Sequence, residues 1–307
     1  MITTERRTFL KNLIRISAFA SVGVFSEASG LASRKKVHSP QNLKTSLNAY
    51  SFNDSLSKGV LKIEDMLAFC SAQGFDAVDL TAYYFQGYPK VPDDAYLYQV
   101  KKQAFKLGLE ISGTGVRNDF TWPEKEKRKE SVQLVKDWIV AAEKLGAPVI
   151  RIFAGTQEPK GYTWDQVSAW MQDDIRECVE FGKNHGVIIG FQNHNDFVKT
   201  SEQVIKIMEA INSEWFGLIL DTGSYRMGDP YEEIKRTIRY AVSWQVKEKI
   251  WVDKKEVDID LNKLFTLIKN SDYKGYLPIE TLGAGDPKEK ISQLLAKVNE
   301  AMIKNSE

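Results

Sequence analysis

Histidine is almost missing from this 307-residue chain, with three residues at positions 38, 185 and 194, so no site can be built on several imidazoles. Cysteine is scarcer still. Cys70 and Cys178 each sit in a helical pattern and no CxxC occurs, so two buried free thiols are expected, with a structural disulfide as the lesser reading. Net charge is small as well, at +1 from 42 Lys and Arg against 41 Asp and Glu. Without residues 1–30 the chain loses Arg6, Arg7, Lys11 and Arg15 against Glu5 and Glu27, which leaves about −1. No basic stripe remains to neutralise a phosphate backbone, which sets nucleic acid aside as a partner. No linker, low-complexity stretch or charge block divides the chain after its first thirty residues, and no apolar run reaches the length of a membrane span.

What is present divides into a leader and one domain. Arg6-Arg7-Thr8-Phe9-Leu10-Lys11 resembles a twin-arginine export signal, followed by a mildly apolar run over residues 13–25. Glu5 stands where such signals usually carry Ser or Thr, and Arg15 interrupts the apolar region. Residues 1–33 are therefore expected to be an export signal and leader, and the protein to be periplasmic. A disordered basic tail is the plainer alternative.

From Lys44 onward, short apolar segments alternate with amphipathic ones, as βα units around a parallel sheet do. The pattern predicts eight strands over 45–50, 75–81, 109–114, 149–153, 187–194, 217–221, 241–247 and 275–280. The predicted helices cover roughly 62–73, 93–107, 124–145, 164–185, 200–212, 230–239, 260–270 and 287–303. Eight such units in residues 44–303 predict a single α/β domain, a (β/α)8 barrel.

Period-two alternation sorts the strand faces. Ile189, Phe191, Leu218, Leu220, Trp244, Val246, Leu277 and Ile279 are expected to face the helices. The opposite face delivers Asn48, Tyr50, Asp79, Ser112, Thr114, Arg151, Gln192, His194, Asp221, Gln245, Lys247 and Glu280 toward the axis near the strand ends. One Asp at a strand end is usually a turn or cap. Polar side chains from every strand at one level are costly to bury unless a ligand or metal satisfies them, so an active site is expected at this mouth.

Three segments carry a family resemblance: Gly74-Phe75-Asp76-Ala77-Val78-Asp79-Leu80, Leu220-Asp221-Thr222-Gly223 and Tyr276-Leu277-Pro278-Ile279-Glu280. In order and spacing they resemble the sugar phosphate isomerase/epimerase superfamily of xylose isomerase-like barrels, over about residues 45–302. The resemblance implies one divalent cation, Mn²⁺ first with Mg²⁺ or Co²⁺ as alternatives, held from strands five to eight by Gln192, Asp221, Gln245 and Glu280. Two of these depart from the family's usual Glu, Asp, His, Glu, because Gln192 replaces a carboxylate and Gln245 an imidazole. Amide oxygens still suit a hard cation and disfavour zinc. A degenerate site that has lost its metal is the alternative. Apurinic-site endonucleases share the fold but need several histidines, which this chain lacks.

The resemblance also implies sugar chemistry by removal of a proton next to a carbonyl, in an isomerase, epimerase or lyase acting on a keto-sugar, inosose or oxidised glycoside. Two-base epimerisation commonly uses the strand-five and strand-eight carboxylates, and Gln192 cannot serve as one. Glu280 is left as the base, with Lys247 and His194 as acid or electrostatic partners, which favours one-base isomerisation or elimination; a lysine paired with Glu280 or Asp221 is the plainer reading of Lys247. Asn48, Tyr50, Asp79, Arg151, His194 and Lys247 are the expected substrate contacts. Among loop aromatics, Tyr50, Phe52, Tyr83, Tyr84 and Trp122 serve equally well as sugar-stacking faces or as lid packing. Asp286-Pro287 is read as a helix cap rather than an anion cradle. The competing class is a metal-free sugar-binding barrel without catalysis, and a homo-oligomer is left open.

Overall fold

The computed structural model describes residues 42–156 and 158–305. The expected export segment, residues 1–33, and His38 lie outside the described residues. Ten strands are present among them: β1 (Lys44–Asn48), β2 (Ala77–Thr81), β3 (Glu110–Gly115), β4 (Val149–Ile152), β5 (Ile188–Gln192), β6 (Phe216–Asp221), β7 (Ala241–Lys247), β8 (Lys249–Val252), β9 (Lys255–Asp258) and β10 (Tyr276–Glu280). All except β8 and β9 close into a parallel barrel in the order β1-β10-β7-β6-β5-β4-β3-β2. These eight are the strands expected from the alternation, and the (β/α)8 barrel is the observed fold.

The connecting helices are α1 (Asn53–Ser57), α2 (Ile63–Gln73), α3 (Asp94–Lys106), α4 (Lys125–Leu145), α5 (Trp164–Asn184), α6 (Ser201–Ile211), α7 (Pro230–Thr237), α8 (Leu261–Lys269) and α9 (Pro287–Lys304). Their ends follow from local sequence. Thr163 with Gln166 and Thr200 with Gln203 form reciprocal capping boxes at the starts of α5 and α6. Asp229-Pro230 and Asp286-Pro287 open α7 and α9 with a side-chain cap and a proline that lacks the donor a first turn cannot use. Gly74 and Gly146 close α2 and α4 in left-handed conformations that a Cβ would disfavour.

Two layers of packing meet at the sheet. On its outer face Ile189, Phe191, Leu218, Leu220, Trp244, Val246, Leu277 and Ile279 are fully buried in the shell between strands and helices. Cys70 and Cys178 lie there too as free thiols, their pKa values pushed up by burial. Inside the barrel, the Ser46 and Ser112 hydroxyls share a hydrogen bond of 2.7 Å between non-adjacent strands. At Gly190 a Cβ would come within 2.5 Å of Ile219 and 2.9 Å of Val149, so the interior is filled below the mouth.

The hairpin β8–β9 was not expected from the sequence. It is joined by Asp253 and Lys254, both at positive φ (50° and 63°), in a two-residue turn. That conformation is usually marked by Asn or Gly, and here neither residue is present.

Candidate active site

Four neighbouring barrel strands, β5, β6, β7 and β10, end at one level and point side chains into the mouth. Asp221 lies in register with Gln245, and Lys247 with Glu280, so each pair faces the same side of its ladder. The Asp221 backbone is fixed by Asn193, whose amide accepts from Asp221 N (2.8 Å) and donates to Asp221 O (3.0 Å). Lys247 is anchored by its own N–H to Thr222 Oγ1 (3.0 Å). Its stem passes over Gly223, where a Cβ would sit 2.8 Å from Lys247 Cδ.

The four side chains expected to hold a metal do come together, but around the ammonium of Lys247. Lys247 Nζ lies 2.9 Å from Asp221 Oδ2 and 3.4 Å from Glu280 Oε1. Gln192 Nε2 donates to Asp221 Oδ2 (2.7 Å) and to Gln245 Oε1 (2.8 Å). Asp221 Oδ1 accepts from Gly223 N (3.0 Å). Asp221 is fully buried and Glu280 almost so. Burial alone would lower the pKa of Lys247, and the two carboxylates reverse this and raise it. Burial raises the pKa of Glu280, with Lys247 opposing the shift and Asp221 adding to it. A carboxylate kept reluctant to ionise in this way suits a general base.

This donor set does not fit a resident divalent cation. Asp221 already accepts from three donors, and Gln192 turns N–H groups rather than an oxygen toward Asp221 and Gln245. A doubly charged ion about 4 Å from the ammonium would meet roughly 8 kcal/mol of repulsion at an effective dielectric of about 20. Gln192, Asp221, Gln245 and Glu280, the side chains expected to hold Mn²⁺, Mg²⁺ or Co²⁺, are engaged here with one another and with Lys247. Pairing of Lys247 with Glu280 or Asp221 was the plainer reading of that residue from the sequence, and in the structure it reaches both. Gln192 Oε1 remains buried with no protein partner, an acceptor left for a ligand hydroxyl or a water.

Above the cluster opens a cavity of about 450 Å³, the size of a sugar site. Gln192, Gln245, Lys247 and Glu280 form part of its lining, with Asn48, Tyr50, Tyr83 and Arg151 among its walls. Arg151 donates to Val116 O (2.9 Å) and to the Tyr83 hydroxyl (3.2 Å), and its guanidinium lies 3.9 Å from the Phe153 ring centroid. Tyr50 meets Tyr83 edge-on at 6.4 Å. Asn48 spends its Oδ1 on the Tyr50 N–H, capping the turn that carries Tyr50. Of the other loop aromatics, Phe52 is core and Trp122 carries Lys127 over its ring, and neither lines this cavity.

His194 lines the same cavity as Gln192, from the loop that follows β5. β5 ends at Gln192 and Asn195 takes a positive φ, so alternation stops before position 194. His194 Nδ1 pairs with Asp196 Oδ2 (2.6 Å), and its ring rests on Phe153 at 4.6 Å. Sequence reasoning missed Arg117, Asn118, Phe153, Asp196 and Arg226, which also line the cavity. They come from loops, where no periodicity points to a face. Asn118 had the clearest task, with its amide tied to both Phe153 N and Phe153 O, 2.9 and 2.8 Å.

Asp79, expected to touch substrate, does not line the cavity. Its carboxylate lies against Gly113, where a Cβ would be 3.1 Å away. Burial raises its pKa from 3.8 to about 6, with Arg151 opposing and Glu280 adding to the rise. A carboxyl raised on folding favours the folded state at low pH. That contribution falls as pH climbs from 3.8 to about 6 and is gone above it. Asp79→Asn is therefore expected to stabilise the protein by up to about 3 kcal/mol at neutral pH. Near pH 4 the gain should vanish. Urea denaturation at the two pH values checks this, and equal effects at both would contradict it.

A profile of the family described as Xylose isomerase-like TIM barrel matches residues 67–301. No curated protein sequence matches the chain. Similar solved structures include an L-ribulose 3-epimerase, with TM-score 0.71 and 15% identity over 86% of this chain and 95% of that one. The IOLI protein with a bound zinc atom matches at TM-score 0.66 and 17% identity, covering 86% of this chain and 96% of that one. The 3-keto-D-glucoside 4-epimerase of E. coli matches at TM-score 0.65 and 14% identity, covering 84% and 99%. At these identities the likeness to solved structures establishes the fold.

Proposed function

We propose that this chain, which belongs to the xylose isomerase-like TIM-barrel family, removes the proton next to the carbonyl of a keto-sugar, with Glu280 as its single base. The observation that carries this reading is the Glu280 carboxylate, buried in the wall of a sugar-sized cavity and held by Lys247. Gln192 takes the strand-five position from which a second base would act and cannot accept a proton in that role. One-base chemistry follows: a proton shift between adjacent carbons, or loss of a group β to the ketone. The epimerases of L-ribulose and of a 3-keto-D-glucoside among the structural neighbours support substrates of this class. Tyr50 and Tyr83 offer faces to a sugar ring, and Arg151 and Arg117 bring positive charge to its oxygens. The twin-arginine-like segment Arg6-Arg7-Thr8-Phe9-Leu10-Lys11 supports a periplasmic location in the same reading.

Incubation with a panel of keto-sugars, inososes and oxidised glycosides in D₂O tests the proposal. The expected result is deuterium at the carbon next to the carbonyl, with isomerised or eliminated product. Exchange with inversion and no elimination would require a second base and overturn it. The second reading, a sugar-binding barrel without catalysis, draws on the way Lys247 already satisfies both carboxylates. It predicts saturable binding of a sugar with no exchange.

A further inference from the structure

We propose that the ammonium of Lys247 takes the place of the divalent cation at this barrel's mouth, making the site a metal-independent one with a built-in organic cation. The inference rests on the proposed proton-abstraction chemistry for what the ammonium does, and on geometry alone for where it sits. The side chain is the last of β7, directed inward, and its path is cleared by Gly223, where any Cβ would collide with the stem. Its Nζ spans Asp221 and Glu280, carboxylates from strands on either side of β7. Gln192 ties Asp221 to Gln245, while Asp221 and Glu280 close onto the ammonium.

Two of the three ammonium protons are committed to Asp221 and Glu280, which leaves one for a ligand oxygen. Lys247 also lines the cavity, so that donor is within reach of a bound carbonyl. In the proton-transfer step, Glu280 accepts the proton from the carbon next to the carbonyl. The C–H electron pair becomes the new C=C bond, and the carbonyl π pair moves onto oxygen. The ammonium hydrogen-bonds the resulting oxyanion without changing its own protonation. Return of the proton from Glu280 to the former carbonyl carbon, with the hydroxyl proton of the adjacent carbon passing to the oxyanion, moves the carbonyl by one carbon and restores the base. No oxidant, reductant or metal enters the balance.

The test uses the full-length protein purified without added metal. Metal content and thermal melting are measured with EDTA and with millimolar Mn²⁺, Mg²⁺ or Co²⁺, alongside deuterium exchange into the keto-sugar panel. The wild type is expected to carry no stoichiometric divalent ion, to melt at the same temperature in every condition and to keep its exchange rate after chelation. Lys247→Gln, which vacates the position but keeps a polar side chain, is expected to gain a melting-temperature increase of several degrees with Mn²⁺. A stoichiometric divalent ion in the wild type, or a melting temperature lowered by EDTA and restored by Mn²⁺, would overturn the inference. The wild-type measurements decide the matter even if Lys247→Gln does not fold. They also decide it if no sugar in the panel exchanges, an outcome that counts against the proposed function and not against the lysine's place.

Discussion

Replacing Glu280 by Gln is expected to lower the rate of proton abstraction from a keto-sugar by roughly 10²- to 10⁴-fold while leaving the fold intact. The amide keeps the shape of the carboxylate and can still accept from Lys247, now 3.4 Å from Glu280 Oε1, while Lys247 retains its shorter contact to Asp221 at 2.9 Å. Nothing else in the cluster is unpaired by the change, and one buried negative charge is removed, so the melting temperature should hold or rise. The loss should therefore fall on kcat, with sugar affinity nearly unchanged. The base must be ionised to act, and burial raises its pKa. The acidic limb of the wild-type kcat/KM profile should accordingly lie above the usual carboxylate range. Isotope exchange followed by mass spectrometry checks both points. A variant that exchanges at the wild-type rate would remove Glu280 from its role and leave the cluster as a structural ion network.

Lys247→Met is expected to be the most destabilising single change at the mouth, costing about 3–5 kcal/mol. Methionine fills much of the lysine's volume, so the effect reports charge rather than a cavity. Without the ammonium, Asp221 and Glu280 are left as two buried carboxylates with no cation between them. For a domain of this size, the melting temperature should fall by roughly 10 °C at neutral pH. The deficit should shrink at lower pH, because Glu280 can then take up a proton and one of the two charges disappears. The double variant Lys247→Met, Glu280→Gln should recover part of the loss, with a coupling of about 1–3 kcal/mol. Urea denaturation of the four proteins at acidic and neutral pH measures all of this. Equal stability of Lys247→Met and wild type at neutral pH would show that the ammonium does not neutralise the pair.

Much of the fold was legible in the chain. The eight barrel strands follow from alternating segments, because a strand buried on both faces still separates large outward residues from small or polar inward ones. Trp244 and Val246 went to the helix side, and Gln245 and Lys247 to the axis, as period two requires. The helix cap at Asp286 was equally local. The hairpin β8–β9 was not legible, since its turn uses Asp253 and Lys254 in conformations their side chains do not announce. His194 reaches the cavity as expected, but from the loop after β5, because the strand stops at Gln192. Arg117 and Arg226 reach the cavity from loops, whose paths are set by tertiary packing.

The sequence by itself determined the barrel, the inward facing of Gln192, Gln245, Lys247 and Glu280 at its mouth, and the presence of only two carboxylates, Asp221 and Glu280, in the cluster. It left open whether Lys247 pairs with one of those carboxylates, with both, or with a ligand. Facing is a property of one strand, decided by backbone alternation, and it can be read residue by residue. The position of an ammonium at the end of a four-carbon stem depends on three strands at once: β7, which carries Lys247, β6 with Asp221 and the Gly223 gap beyond it, and β10 with Glu280. Only closure of the barrel brings them within hydrogen-bonding distance. That closure turns the expected metal ligands into a lysine-centred ion cluster.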